Sequence, residues 1–367
     1  MTPRERVMTA LQWGKVDAVP FTMYETMIPQ CTAEREVRND GLCIVKRDIP
    51  VFDVVQPNVK TVRESYVDNG QSYTRTQYET PVGTVDTLAS HAGFTKWYHE
   101  TMFKSPEDYA TIRFILKDEQ YVPQYDRFRK AADAFGPDAV FRASFGREPL
   151  QTILSAPYMD TQQFCIEWMD NRDEILAIYE ILVEKRRNLY RIVAESPAQF
   201  ANYGGNVVAE IVGLDTFQQY YAPHYNEAAE IMHRNGKMVG CHFDGNCRLM
   251  AESIAGTDLD YIEAFTPAPD TDMTLTEARA AWPEKVLWLN FPSSLHLSDD
   301  ETVENTTVSL LDELDSTHGL IMGITEDIPA DRWQDSCRAI MRGLKQHAAE
   351  YPSRCAPGTD RNTPRLA

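Results

Sequence analysis

Between residues 105 and 349, short apolar runs alternate with helical segments, and no other feature restricts the fold so tightly. The runs are Val140–Phe145, Phe200–Tyr203, Met238–His242, Tyr261–Phe265, Val286–Asn290 and Leu320–Ile324. Around them, amphipathic periodicity predicts helices over 105–119, 123–134, 147–157, 160–169, 172–195, 215–234, 246–254, 274–281, 299–314 and 330–349. Strand followed by helix at this spacing builds right-handed βαβ units and therefore a parallel sheet. Adding Val19–Glu25 and Val54–Val59 brings the strands to about eight, the number that closes a barrel. No Gly-x-Gly-x-x-Gly turn follows any of them. The expectation is an α/β fold, a single (β/α)8 TIM-type barrel, rather than an open doubly wound sheet.

The N-terminal part reads differently. Thr2, Pro3 and Glu5 form a helix start, with Thr2 as cap, Pro3 in the first turn and Glu5 completing a capping box. Residues 62–100 alternate β-branched or aromatic residues with polar ones, broken by Asp68-Asn69-Gly70 and Pro81-Val82-Gly83, which predicts a β-hairpin or meander inserted into the barrel. No flexible linker or internal repeat divides the chain, so one domain over 1–352 is expected. Residues 353–367 lack periodicity and read as a disordered tail.

The chain has 367 residues, with 36 Lys plus Arg against 55 Asp plus Glu, a net charge of −19. Such a surface repels a phosphate backbone and an anionic lipid surface, which argues against nucleic acid and membrane as partners. No apolar run approaches the ~20 residues that span a bilayer, and the first residues do not form a signal peptide, so a cytoplasmic protein is expected. The cysteines at 31, 43, 165, 241, 247, 337 and 355 include no Cys-x-x-Cys pair. Reduced thiols are expected, not a disulfide framework or a zinc ribbon.

A parallel barrel presents its chemistry at the carboxyl ends of the strands. The polar residues closing the apolar runs are Tyr203 and Asn206, His242 and Asp244, Glu263, Asn290, and Glu326. The earlier strands supply Tyr24 and Glu25, with Arg142 and Arg147 close by, either of which could clamp a carboxylate if the substrate is a small acid. His242 and Asp244 are two residues apart, so a strand points both to one face. They could be two corners of a metal site, a buried hydrogen-bonded pair, or, for Asp244, an Asx turn before Gly245. Glu263 sits inside an apolar run and must be paired, metal-bound or poised as an acid or base.

Thr2-Pro3-Arg4-Glu5-Arg6-Val7, Glu79-Thr80-Pro81-Val82-Gly83-Thr84, Phe217-Gln218-Gln219-Tyr220-Tyr221-Ala222-Pro223, Gly236-Lys237, His242-Phe243-Asp244-Gly245-Asn246 and Glu326-Asp327-Ile328-Pro329 recur in this order in one family. On these motifs the chain resembles the uroporphyrinogen decarboxylase superfamily, its corrinoid-linked methyltransferases more than its porphyrin decarboxylases. The resemblance implies a single barrel with a zinc ion held by His-x-Cys after one strand and a second Cys after the last. His242 matches the family's His, while Asp244 stands at the first Cys and Glu326 at or near the second. The implied ligand set is then His242, Asp244 and Glu326, holding a divalent metal, most readily Zn²⁺. One nitrogen and two hard oxygens leave such an ion more electrophilic than thiolates would, suited to polarising an ether oxygen.

The leading expectation is a metal-dependent methyltransferase that moves a methyl group from a small methoxylated compound, aromatic ones included, to a cobamide on a separate corrinoid protein. Glu263, Tyr203, Asn206 and Asn290 are the expected catalytic residues, and Tyr24, Glu25, Arg142 and Arg147 the substrate-binding ones. A decarboxylase or other lyase on a small carboxylic acid is the alternative. A ligand-sensing barrel without catalysis is a third. Homodimerisation is compatible with all three.

Overall fold

A computed structural model describes residues 1–27, 29–92 and 95–351. The tail expected over 353–367 lies outside the described residues. In chain order the strands are β1 (Phe21–Tyr24), β2 (Leu42–Lys46), β3 (Phe52–Val55), β4 (Lys60–Asp68), β5 (Gln71–Thr80), β6 (Gly83–Ala92), β7 (Thr95–Glu100) and β8 (Gln120–Pro123). They continue as β9 (Ala139–Phe141), β10 (Ala143–Gly146), β11 (Phe200–Gly204), β12 (Met238–His242), β13 (Tyr261–Phe265), β14 (Val286–Leu289) and β15 (Leu320–Ile324). Two compact units divide the chain. One comprises residues 1–51, 125–146 and 193 onward, the other residues 52–124 and 147–192.

The first unit is the expected barrel. Its strands form a nine-stranded sheet in the order β10-β11-β12-β13-β14-β15-β1-β2-β9, paired in parallel throughout. The two ends of that order, β9 and β10, are separated by Arg142 alone. They are halves of one strand line, so eight strand positions close the cylinder. The Arg142 backbone N–H donates to the Lys46 carbonyl at 3.0 Å at this break.

The interior is layered. Phe200, Met238, Tyr261 and Val286, each the first residue of its strand, join Cys43, Val45, Val140, Trp288 and Ile321 in one buried apolar cluster. The helix Pro3–Leu11 adds Val7, Ala10 and Leu11 to that cluster and so closes the amino end. Its capping box forms as expected, with the Thr2 side chain accepting from the Glu5 N–H. Gly240 is required here: the Tyr261 ring lies where a Cβ would stand, at 2.2 Å, and its hydroxyl donates to the Ala201 carbonyl at 2.8 Å. Toward the carboxyl ends the inward residues turn polar.

One strand was expected elsewhere. The second barrel strand is β2, whose five residues are all buried, and not Val54–Val59. Val54 and Val55 are exposed and belong to β3, which pairs antiparallel with β8 in the second unit. A barrel strand is covered on both faces, and only the Leu42–Lys46 run is apolar enough to be buried that way. The helix expected over 215–234 is two, Leu214–Tyr220 and Ala222–Arg234. Pro223, which lacks an N–H, enforces the break.

In the second unit, β4 to β7 form the expected meander, a four-stranded antiparallel sheet. Asn69 and Gly70 both take positive φ, 49° and 80°, and join Asp68 to its partner Gln71, the geometry of a two-residue type I′ hairpin. Among the described residues no helix is long and apolar enough to cross a membrane. Their six cysteines are all free, with Cys43, Cys241, Cys247 and Cys337 buried.

Candidate functional site

The polar layer is organised by Glu263, which is fully buried in the middle of β13. The register of β12 and β13 sets His242 directly opposite it, and His242 Nδ1 lies 2.8 Å from Glu263 Oε2. Asn202 Nδ2, from β11, donates to the same oxygen at 2.9 Å. The Tyr24 hydroxyl, at the end of β1, donates to Oε1, and Arg142 Nη1 stands 2.7 Å from that atom. Just after Glu263, Ala264 adopts a left-handed φ of 63° and the register with β14 shifts. A bulge of this kind re-aims side chains at a strand end, and a non-glycine residue in that region is a local cost of order 1–3 kcal/mol.

Charge and burial fix the protonation states. Burial by itself would push the His242 imidazole toward neutrality, but the carboxylates of Glu263 and Asp244 outweigh it and hold the group up at about 9. Burial would raise the Glu263 carboxyl, yet Arg142 and His242 keep it well below the usual carboxylate range. Tyr24 is pushed up by burial and by Glu263, so its phenol stays protonated. The site therefore holds two cations, Arg142 and His242, against the anions Glu263 and Asp244. His242 Nε2 lies 3.3 Å from Asp244 Oδ2, with the imidazole still 15% exposed. Of the proton-bearing side chains in the network, His242 is the most exposed.

Pairing is incomplete around Arg142. Its guanidinium is more than nine-tenths buried, yet Nε and Nη1 lack a hydrogen bond, the approach to Glu263 being an ion pair without hydrogen-bond alignment. Asn202 Oδ1 is likewise buried, with no hydrogen-bond partner among the described residues. Orphaned donors and acceptors in a buried site are costly unless a bound group completes them.

Of the expected residues, the structure brings together Tyr24, Arg142, His242, Asp244 and Glu263. Glu25 stands beside them, its carboxylate 3.4 Å from Arg47, whose guanidinium lies 3.3 Å from the Tyr24 ring centroid. Asn290 is buried and structural: its Nδ2 donates to Thr266 Oγ1 at 3.2 Å and its Oδ1 accepts from the Thr325 N–H at 2.9 Å. Tyr203 faces away from Glu263 and packs between Phe145 and Tyr225. Asn206 is exposed in the loop after β11 with a φ of 47°. Arg147 belongs to the second unit and donates to the Ala156 carbonyl at 3.0 Å.

Sequence reasoning missed Asn202 and Arg47. The signal for Asn202 was present: a polar residue inside the apolar run 200–203, the argument that singled out Glu263. The strand period of two that turns Asn202 inward turns Tyr203 outward.

The expected metal ligands do not assemble. His242 and Asp244 approach one another, but Glu326 is engaged with Ser293, whose hydroxyl donates to its Oε2. Both imidazole nitrogens face carboxylates. Among the described residues no group of three or more His, Cys, Asp or Glu side chains is placed to hold an ion. The residues do not fit the zinc site that the resemblance implies. What they provide is an imidazolium held between two carboxylates beside an arginine.

Fold and site together define an α/β barrel with a buried ionic network set toward the carboxyl ends of its strands. Among solved structures, the fold is similar to that of a methyltransferase from Methanosarcina mazei, with a TM-score of 0.57 and 11% identity over 94% of this chain and 99% of that one. A tandem GH20 catalytic module of the pneumococcal exo-β-D-N-acetylglucosaminidase StrH aligns with a TM-score of 0.41 and 10% identity, over 94% and 86%, too weakly to bear on fold or chemistry. No protein-family model matches the chain, and no curated protein sequence matches it. At 11% identity the likeness to the Methanosarcina protein is one of fold.

Proposed function

We propose that this barrel transfers a methyl group from a small methoxylated compound to a corrinoid carried by a separate protein. The observation that carries the reading is the His242 imidazolium, fixed by Glu263 and Asp244 at the end of β12. When a methyl group leaves an ether for the cobalt of the acceptor, cobalt supplies the electrons of the new bond, and the pair of the broken C–O bond stays on oxygen. His242 Nε2 donates its proton to that oxygen, so an alcohol or phenol departs in place of an anion. Glu263 and Asp244 hold the imidazolium in place, and solvent returns the proton afterwards. The fold likeness to a protein named a methyltransferase supports this reading.

The test uses the purified chain, Co(I) cobalamin and a panel of methoxylated benzoates, with methylation of cobalt followed by absorbance. Turnover that is lost in His242→Asn is expected. No methylation from any member of the panel, or full activity in the variant, would overturn the proposal. A second reading, a carboxy-lyase on a small acid, is favoured by one observation, the buried Arg142, whose Nε and Nη1 make no hydrogen bond among the described residues. Release of CO2 from a panel acid without any cobamide would favour it.

A further inference from the structure

The edge strand of the meander has an open side. All nine residues of β4 are exposed, and β4 is the outermost strand of its sheet, bonded among the described residues only to β5. Natural sheets protect such an edge with proline, a bulge, a very short strand or charged side chains. β4 has the charges, Lys60, Arg63, Glu64 and Asp68, but carries no proline, and its register runs unbroken from Lys60 opposite Glu79 to Asp68 opposite Gln71. Apolar side chains remain exposed along it, Val67 most of all at 69%.

The hairpin decides which backbone groups point outward. Next to a two-residue turn, the flanking residues exchange both hydrogen bonds, and bonded pairs then alternate along the ladder. Asp68, Tyr66, Glu64 and Val62 therefore bond inward to β5. Thr61, Arg63, Ser65 and Val67 present their N–H and C=O groups to the open side.

We infer that β4 pairs with β4 of a second copy of this chain, antiparallel about a two-fold axis through Glu64, joining two meanders into one continuous sheet. In that register Thr61 bonds Val67 of the other copy and Arg63 bonds Ser65, so every outward backbone group finds a partner. The intervening pairs match chemically. Lys60 meets Asp68 at each end, and Val62 meets Tyr66 where side chains approach most closely. Shifting the axis by one residue loses this match: centred on Arg63 it sets Val62 against Glu64, and centred on Ser65 it sets Val62 against Asp68. The register is therefore specified by the sequence of the strand itself. Its weak point is the axis, where Glu64 meets its own copy. Arg75, directly across from Glu64 on β5, is already engaged by Asp86 and Glu100.

Sedimentation of the full chain across the micromolar range tests the inference. A concentration-dependent dimer is expected. Ser65→Pro removes one outward N–H and, toward β5, no backbone bond but only the exposed side-chain hydrogen bond to Thr74 Oγ1, and should leave a folded monomer. Glu64→Gln removes the repulsion at the axis and should tighten the dimer severalfold. Glu64→Cys should form a disulfide-linked dimer on mild oxidation, because a non-hydrogen-bonded pair brings the two Cβ atoms within about 5.5 Å, while Val62→Cys alone should cross-link no more than the unaltered chain. A chain that stays monomeric, a dimer that Glu64→Cys does not cross-link, or a folded Ser65→Pro that dimerises as tightly as the unaltered chain would overturn the inference.

Discussion

His242 and Glu263 face each other across β12 and β13, with Nδ1 and Oε2 2.8 Å apart. Parallel register places them there, and burial makes the pair strong. Glu263 is the common partner of Tyr24, Arg142, Asn202 and His242. The consequences can be measured one residue at a time.

Glu263→Ala leaves Arg142 and His242 as buried cations facing an empty space. Breaking a buried pair in this way costs about 3–5 kcal/mol. A large fall in the urea midpoint is expected, and an unchanged midpoint would show that the network is solvated. Glu263→Gln keeps the shape but removes the charge. Titration of His242 by NMR should then find its pKa well below the value of about 9 that the two carboxylates sustain.

Stability should peak near neutral pH for reasons that sit on two histidines. The His242 pKa rises from 6.5 to about 9 on folding, so its contribution is complete below 6.5 and is lost as pH climbs to 9. His296 moves the other way, to about 4, through burial; the unfolded chain takes up its proton first, and stability is lost as pH falls from 6.5 toward 4. Urea midpoints across this range should form a dome. In His242→Asn the alkaline limb should flatten while the acid limb remains.

Gly240→Ala drives a methyl group into the Tyr261 ring. Overpacking of this kind costs about 1–3 kcal/mol, read as a lower thermal midpoint. No change would mean that the ring can move aside despite its hydrogen bond to Ala201.

Asn202 and Tyr203 are neighbours in sequence with opposite fates. Under the proposed reaction, Asn202→Ala should slow methyl transfer by about tenfold, or roughly 1.4 kcal/mol of transition-state stabilisation. Tyr203→Phe, which preserves the packing between Phe145 and Tyr225, should leave the rate nearly unchanged. The reverse order would show that the inward face has been misassigned.

Much of the architecture is written in local sequence. The alternation of apolar runs with helical periods defines a parallel α/β barrel, because each pattern admits only one way of burying its apolar face. Asp68-Asn69-Gly70 fixes a hairpin, since two consecutive positive-φ residues favour that turn. His242, Asp244 and Glu263 stand out because a charged group within or just after a buried run must find a partner. The tertiary structure alone decided which partners they find. Closure of the sheet at Arg142 sets a guanidinium beside Glu263, more than a hundred residues away in sequence. The pairing of β12 with β13 turns two apolar runs into an ion pair, and Ser293 engages Glu326. Local patterns are fixed by the period of a strand or a helix. A site depends on register and barrel closure, which join distant segments and leave no mark on any one of them.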